Sequence, residues 1–76
     1  MRSNRLESVI LLILASGEMY GRAIRVEYYK KTGKSLLLGS LYSALDRMEE
    51  RGLVKSREAE PLLGYGGHRR RYYSLV

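Results

Sequence analysis

The sequence contains no cysteine, tryptophan, phenylalanine or glutamine, and histidine, aspartate, asparagine and proline each occur once. Without cysteine there is no disulfide framework, no thiolate metal site and no cysteine nucleophile. One histidine, His68, and one aspartate, Asp46, cannot assemble a catalytic triad or a facial metal site within one chain. The lone Pro61 and scattered glycines leave no linker, repeat or low-complexity tract. Long apolar runs are missing as well. The run Val9 to Ala15 falls far below the ~18 residues of a membrane span. Arg2 and Arg5 before it and Ser16-Gly17 after it mimic a signal peptide. Glu7 sits directly against the run, however, and its length is at the short limit for an h-region, so it reads as a buried helix. A cysteine-free chain with neither membrane span nor signal fits the cytoplasm.

What remains is a chain of 76 residues, enough for one domain over 1–76. A domain this small buries only about 60% of the surface its unfolded form exposes, so its core is limited. Lys and Arg outnumber Asp and Glu by 14 to 8, a net charge of +6 on a small surface. That balance calls for a polyanionic partner, nucleic acid ahead of a membrane surface.

Three helices and two strands follow from the pattern. The first helix starts near Ser3 or Asn4, with Asn4 and Glu7 spaced as a loose capping box, and Gly17 ends it. Leu6, Val9, Ile10, Ile13 and Leu14 form its stripe, while Leu11 and Leu12 make the other side apolar too. The second helix runs from about Tyr20 or Gly21 to Lys31, with Tyr20, Ala23, Ile24 and Tyr28 inward and Gly33 as terminator. The third spans about Gly39 to Arg51, with Leu41, Ala44, Leu45 and Met48 inward and a left-handed Gly52 closing it. A strand extends from Leu53-Val54 through about Glu58, and Pro61 breaks it. Gly64, Gly66 and Gly67 mark a hairpin tip. The last strand covers about Arg69 to Leu75, with Arg71, Tyr73 and Leu75 on one face and Arg70, Tyr72 and Ser74 on the other. This order, mainly α with a two-stranded hairpin wing, is a winged helix-turn-helix (α+β).

The chemistry concentrates in two places. His68-Arg69-Arg70-Arg71 follows the glycine-rich tip, where guanidinium groups bind phosphates by bidentate, charge-assisted hydrogen bonds. Lys55 and Arg57 on the paired strand extend the patch. On the third helix, Ser40, Ser43 and Arg47 lie outward, fit for base edges or phosphates, and Arg47 for guanine or for a neighbouring carboxylate. With no glutamine, and Asn4 far away, the amide contact to adenine is unavailable there. Tyr20 and Tyr42 read as half-buried phenols whose hydroxyls reach phosphate, Tyr20 mostly core. Tyr72 and Tyr73 read as sheet packing, and His68 as an ordinary histidine. No acid–base pair, nucleophile or phosphate loop suggests an enzyme, and no metal or cofactor is expected.

Several segments together carry a resemblance. They are Leu6 to Leu14 with Gly17, Tyr20-Gly21, Gly39-Ser40-Leu41-Tyr42-Ser43-Ala44-Leu45, Met48 to Val54, and Gly66 to Leu75. Over nearly its whole length the chain resembles the winged-helix domain of the PadR-like transcriptional regulators. The resemblance implies a DNA-binding repressor, usually dimeric, on a near-palindromic operator of double-stranded DNA. It places Ser40, Tyr42 and Ser43 on the recognition segment in the major groove. Arg69, Arg70 and Arg71 fall on a wing against the backbone or minor groove.

The departures are local. Leu37-Leu38 stand where the family usually has Ser-Pro, and Ser43 replaces a common proline. The chain ends at Val76, right after the wing, where the family continues into dimerising helices. Leu11 and Leu12 are therefore expected to mediate a homodimer through the first helix. Burial of two leucines contributes roughly 3–6 kcal/mol per chain before association costs. Two other readings share these residues, a winged-helix protein-interaction module and a nonspecific nucleic-acid binder.

Overall fold

The computed structural model describes residues 5–59 and 70–76. Helix α1, Arg5–Leu14, forms where the apolar spacing predicts it and buries Ile10, Ile13 and Leu14. Leu6, Val9 and Leu11 are partly buried against the same core, whereas Leu12 is 65% exposed. The amide of Gly17, at φ 132°, bonds the Leu14 carbonyl and turns the chain. The Asn4 cap lies outside the described residues.

The chain next forms β1, Met19–Tyr20, and then α2, Gly21–Thr32. Of the two starts offered for the second helix Gly21 is the one formed, and Tyr20 belongs to β1 instead of the helix's inner stripe. Two residues carry too little pattern to announce a strand, and β1 exists because a later strand offers it hydrogen bonds. Gly33, at φ 72°, ends α2 with its amide on the Tyr29 carbonyl.

Helix α3, Leu38–Glu50, begins one residue earlier than the pattern indicated and buries Leu41, Ala44, Leu45 and Met48. Its end is a Schellman motif. Gly52, at φ 76°, donates to the Glu49 carbonyl, and Leu53 donates to that of Met48. Leu53 also packs on the core, which supplies the hydrophobic contact that accompanies the motif.

Strands β2, Val54–Ala59, and β3, Arg70–Leu75, pair antiparallel from Val54↔Leu75 to Ala59↔Arg70. Strand β1 adds to the other edge of β3, giving a three-stranded sheet in the order β1-β3-β2 rather than a bare hairpin. Tyr73 and Val54 point into the core, so Tyr72, Arg57, Lys55 and Tyr20 lie on the opposite, outer face. The architecture is a winged helix-turn-helix of three helices and a small antiparallel sheet. Among the described residues no helix is long and apolar enough to cross a membrane.

Candidate nucleic-acid interface

Helix α3 is held from both sides. On one flank, Glu7 of α1 is buried, its side chain 3% exposed, and accepts a hydrogen bond from Arg51 Nη1 at 2.8 Å. Arg47 Nε lies 3.8 Å from the other oxygen of the same carboxylate. On the other flank, Ser56 Oγ of β2 donates to Glu49 Oε2 at 2.8 Å. Between these flanks Ser43, Asp46 and Glu50 are exposed, and Ser40 is exposed on the row of Arg47 and Arg51, nearer the start of the helix. Ser40 and Ser43 thus stand where the spacing put them, while Arg47 leans toward Glu7.

Tyr42 is 38% exposed, its ring 6.4 Å from that of Tyr73 and tilted by 42°. It also lies over Gly21. A Cβ there would overlap the Tyr42 hydroxyl and come within 2.9 Å of Cζ, which is why a glycine opens α2 despite its cost in a helix. Tyr20, the residue before α2, makes no side-chain cap hydrogen bond. The phenol of Tyr42 therefore sits beside a helix N-terminus whose amides lack a side-chain acceptor, a place that favours anions.

The sheet separates the nominated cations. Arg70, Arg57 and Lys55 share the outer face with Tyr72 and Tyr20, and Arg71 lies on the face toward α3. Arg57 donates to Glu18 through Nε at 2.7 Å and Nη2 at 2.6 Å, and its guanidinium lies 5.0 Å from the centre of the Tyr72 ring. The Tyr72 and Tyr20 rings meet edge to face at 5.6 Å, and Arg70 covers Tyr20 at 4.8 Å. Tyr20 is therefore a half-buried ring of the outer sheet rather than part of the core. Arg71 donates to Glu58 Oε1 at 2.9 Å and to Ser56 Oγ at 3.2 Å. Lys55 and Arg70 have no carboxylate partner among the described residues. His68 and Arg69 lie outside the described residues, as does the glycine-rich tip.

Paired and exposed charges leave their mark on titration. The two hydrogen bonds from Arg57 hold the Glu18 carboxyl below the usual carboxylate range, helped by the positive charge of Arg57 and Lys55. Its contribution is therefore in place above pH 4.5 and is lost as pH falls through the lower, folded value. An NMR titration of Glu18 is expected to give a midpoint below 4.5 that rises in Arg57→Gln. An ordinary midpoint in the wild type would exclude the pair. Burial pushes the Tyr73 hydroxyl above the ordinary phenol range, in keeping with its place in the core.

Two features escaped the sequence reading. Glu7 had a readable signal, because it lies three and seven residues before Ile10 and Leu14 on the buried stripe. The contact of Tyr42 with Gly21 had none, since it joins two helices at a distance in sequence. The described residues bring together no group of three His, Asp or Glu side chains fit to hold a metal ion.

Several known proteins are similar to this chain in fold or in sequence. A transcriptional regulator from Clostridium thermocellum is 32% identical, with a TM-score of 0.79 over 93% of this chain and 67% of its own. A PadR family transcription regulator from Clostridium difficile is 33% identical, with a TM-score of 0.76 over 96% of this chain and 73% of its own. Bacillus subtilis PadR in complex with operator DNA shares the fold at 24% identity and a TM-score of 0.77, over 96% of this chain and 41% of its own. A transposon-encoded protein of 37.1 kDa from Streptomyces fradiae is 40% identical over 58 residues, 76% of this chain but 17% of that protein. Residues 10–76 match the profile of the transcriptional regulator PadR-like family, and the chain belongs to that family.

Proposed function

We propose that this domain is a sequence-specific double-stranded DNA-binding regulator, acting as a repressor in the cytoplasm. The observation that carries the reading is helix α3, whose inner stripe is fully buried while its leading turn and outward serines stand clear of the protein. Set in the major groove, that end presents Ser40 and Ser43 to base edges and the Tyr42 hydroxyl to a phosphate near the α2 N-terminus. The net charge of +6 supplies the attraction, with Lys55 and the wing arginines Arg69, Arg70 and Arg71 beside the backbone or minor groove and His68 next to them. Arg57 and Arg71 are engaged first with Glu18 and Glu58, and Arg47 stands 3.8 Å from Glu7.

The homologue seen with operator DNA supports this reading through its shared fold. Self-association through α1 belongs to the same proposal. Leu12 is 65% exposed and is its main contact, whereas Leu11 is partly spent on the core. A clean monomer in sedimentation at tens of micromolar would remove that part.

The test of DNA binding is retention of a random-duplex pool at two salt concentrations, followed by sequencing. An enriched near-palindrome is the expected result. Salt-sensitive retention without enrichment would leave a nonspecific binder, and no retention at low salt would point to a protein partner.

A further inference from the structure

Leu37, Leu38 and Gly39 at the start of α3 are each a poor choice for the isolated domain. Leu37 holds the position before the helix, where a hydroxyl or carboxylate would cap the first amides, and it makes no cap hydrogen bond. It is 74% exposed, and Leu38 beside it is 38% exposed, so neither is fully enclosed by the core. Gly39 has no left-handed backbone to justify it, and a Cβ added there would meet nothing within 4 Å. A glycine inside a helix is less favourable than alanine, so nothing within the described protein asks for one here. Three consecutive residues are thus suited to a surface outside the molecule, two by apolar reach and one by letting the backbone come close.

The surroundings say which surface. Lys34 and Ser35 precede the pair, Ser40 and Ser43 follow, and all four are exposed. An apolar tip with a polar and cationic border, on a chain of charge +6, fits a polyanion with apolar groups in its grooves. Duplex DNA has one such group in the major groove, the 5-methyl of thymine. The first turn of a recognition helix is also the part that reaches base edges. With no glutamine in the chain and no asparagine in α3, A·T pairs have no amide reader there.

We infer that Leu37 and Leu38 read thymine 5-methyl groups in the major groove, an inference that rests on the DNA-binding reading above. Gly39 lets the helix backbone descend far enough for the two side chains to make that contact.

The test uses a duplex selected by the protein from a random pool, prepared once with thymidine and once with deoxyuridine. The two differ by the methyl group and keep the same base pairing. The wild type is expected to bind the deoxyuridine duplex about four-fold more weakly for each methyl contacted. Leu37→Ser and Leu38→Ser, checked for folding by circular dichroism, are expected to bind the thymidine duplex more weakly. Together in one chain they should show no further loss with deoxyuridine. Equal binding of both duplexes by the wild type would overturn the inference while leaving DNA binding intact. So would a double variant that kept the full loss. Failure to bind either duplex would overturn the DNA-binding reading and this one with it.

Discussion

Replacing Arg47 and Arg51 together with alanine is expected to cost about 3 kcal/mol of folding free energy, the low end for breaking a buried ion pair. The carboxylate of Glu7 is 3% exposed, and losing both guanidiniums removes the two cations set against its buried charge. The low end applies because the two arginine side chains are themselves 52% and 37% exposed and contribute less than fully buried partners. Native stability of about 0.05–0.15 kcal/mol per residue makes such a loss a large fraction of the total for so short a chain. Urea unfolding should show it as a lower midpoint at an unchanged slope. Arg47→Ala alone should change little, since its Nε stands 3.8 Å from the carboxylate, and Arg51→Ala should carry most of the effect. A double variant with the wild-type midpoint would show that Glu7 is held by other means. The pair also fixes α3 against α1, so the loss would loosen the element proposed to enter the groove.

How much of this was legible depends on the range of the interaction. Helices α1, α2 and α3 were readable because apolar residues recur in each at helical spacing and each run ends on a glycine, although α2 fully buries only Gly21 and Ile24. Gly52 adopts the left-handed turn expected of it, and Gly33 does the same. The alternation of Arg71, Tyr73 and Leu75 against Arg70, Tyr72 and Ser74 was readable for the same reason, since strand geometry is local. Strand β1 was not, because two residues have no periodicity and their pairing is set by Tyr72 and Tyr73, more than fifty residues later. The arginines were legible as a basic run but not as individuals. Which of them is neutralised depends on where Glu18 and Glu58 fall across the sheet, and no local spacing gives that. Leu11 and Leu12 make the same point on α1. Both are apolar, yet the turn of the helix places one against the core and the other in solvent.

Binding of the selected duplex is expected to weaken about 10²- to 10³-fold between 50 and 200 mM salt, as for neutralisation of about four to six phosphates per bound unit. The sheet predicts which arginines carry that slope. Arg70 is paired with Ala59 at the end of the described ladder, nearest the hairpin tip, and its guanidinium rests on the Tyr20 ring without a carboxylate partner among the described residues. It arrives at a phosphate already oriented and still charged. Arg57 is two residues further from the tip and gives two hydrogen bonds to Glu18, so a phosphate would have to displace a partner already in place. Arg70→Ala should therefore weaken binding evenly across sequences and reduce the log–log slope by about 0.9, one phosphate contact. Arg57→Ala should leave the slope nearly unchanged. Glu18→Gln should steepen it, because removing the carboxylate releases a cation on the same face. If Arg57→Ala flattens the slope as much as Arg70→Ala does, the Glu18 pair opens on binding and the whole outer face of the sheet meets the backbone. If neither does, the phosphates are held by α3, the α2 N-terminus and the wing tip, and the outer sheet only stiffens the wing.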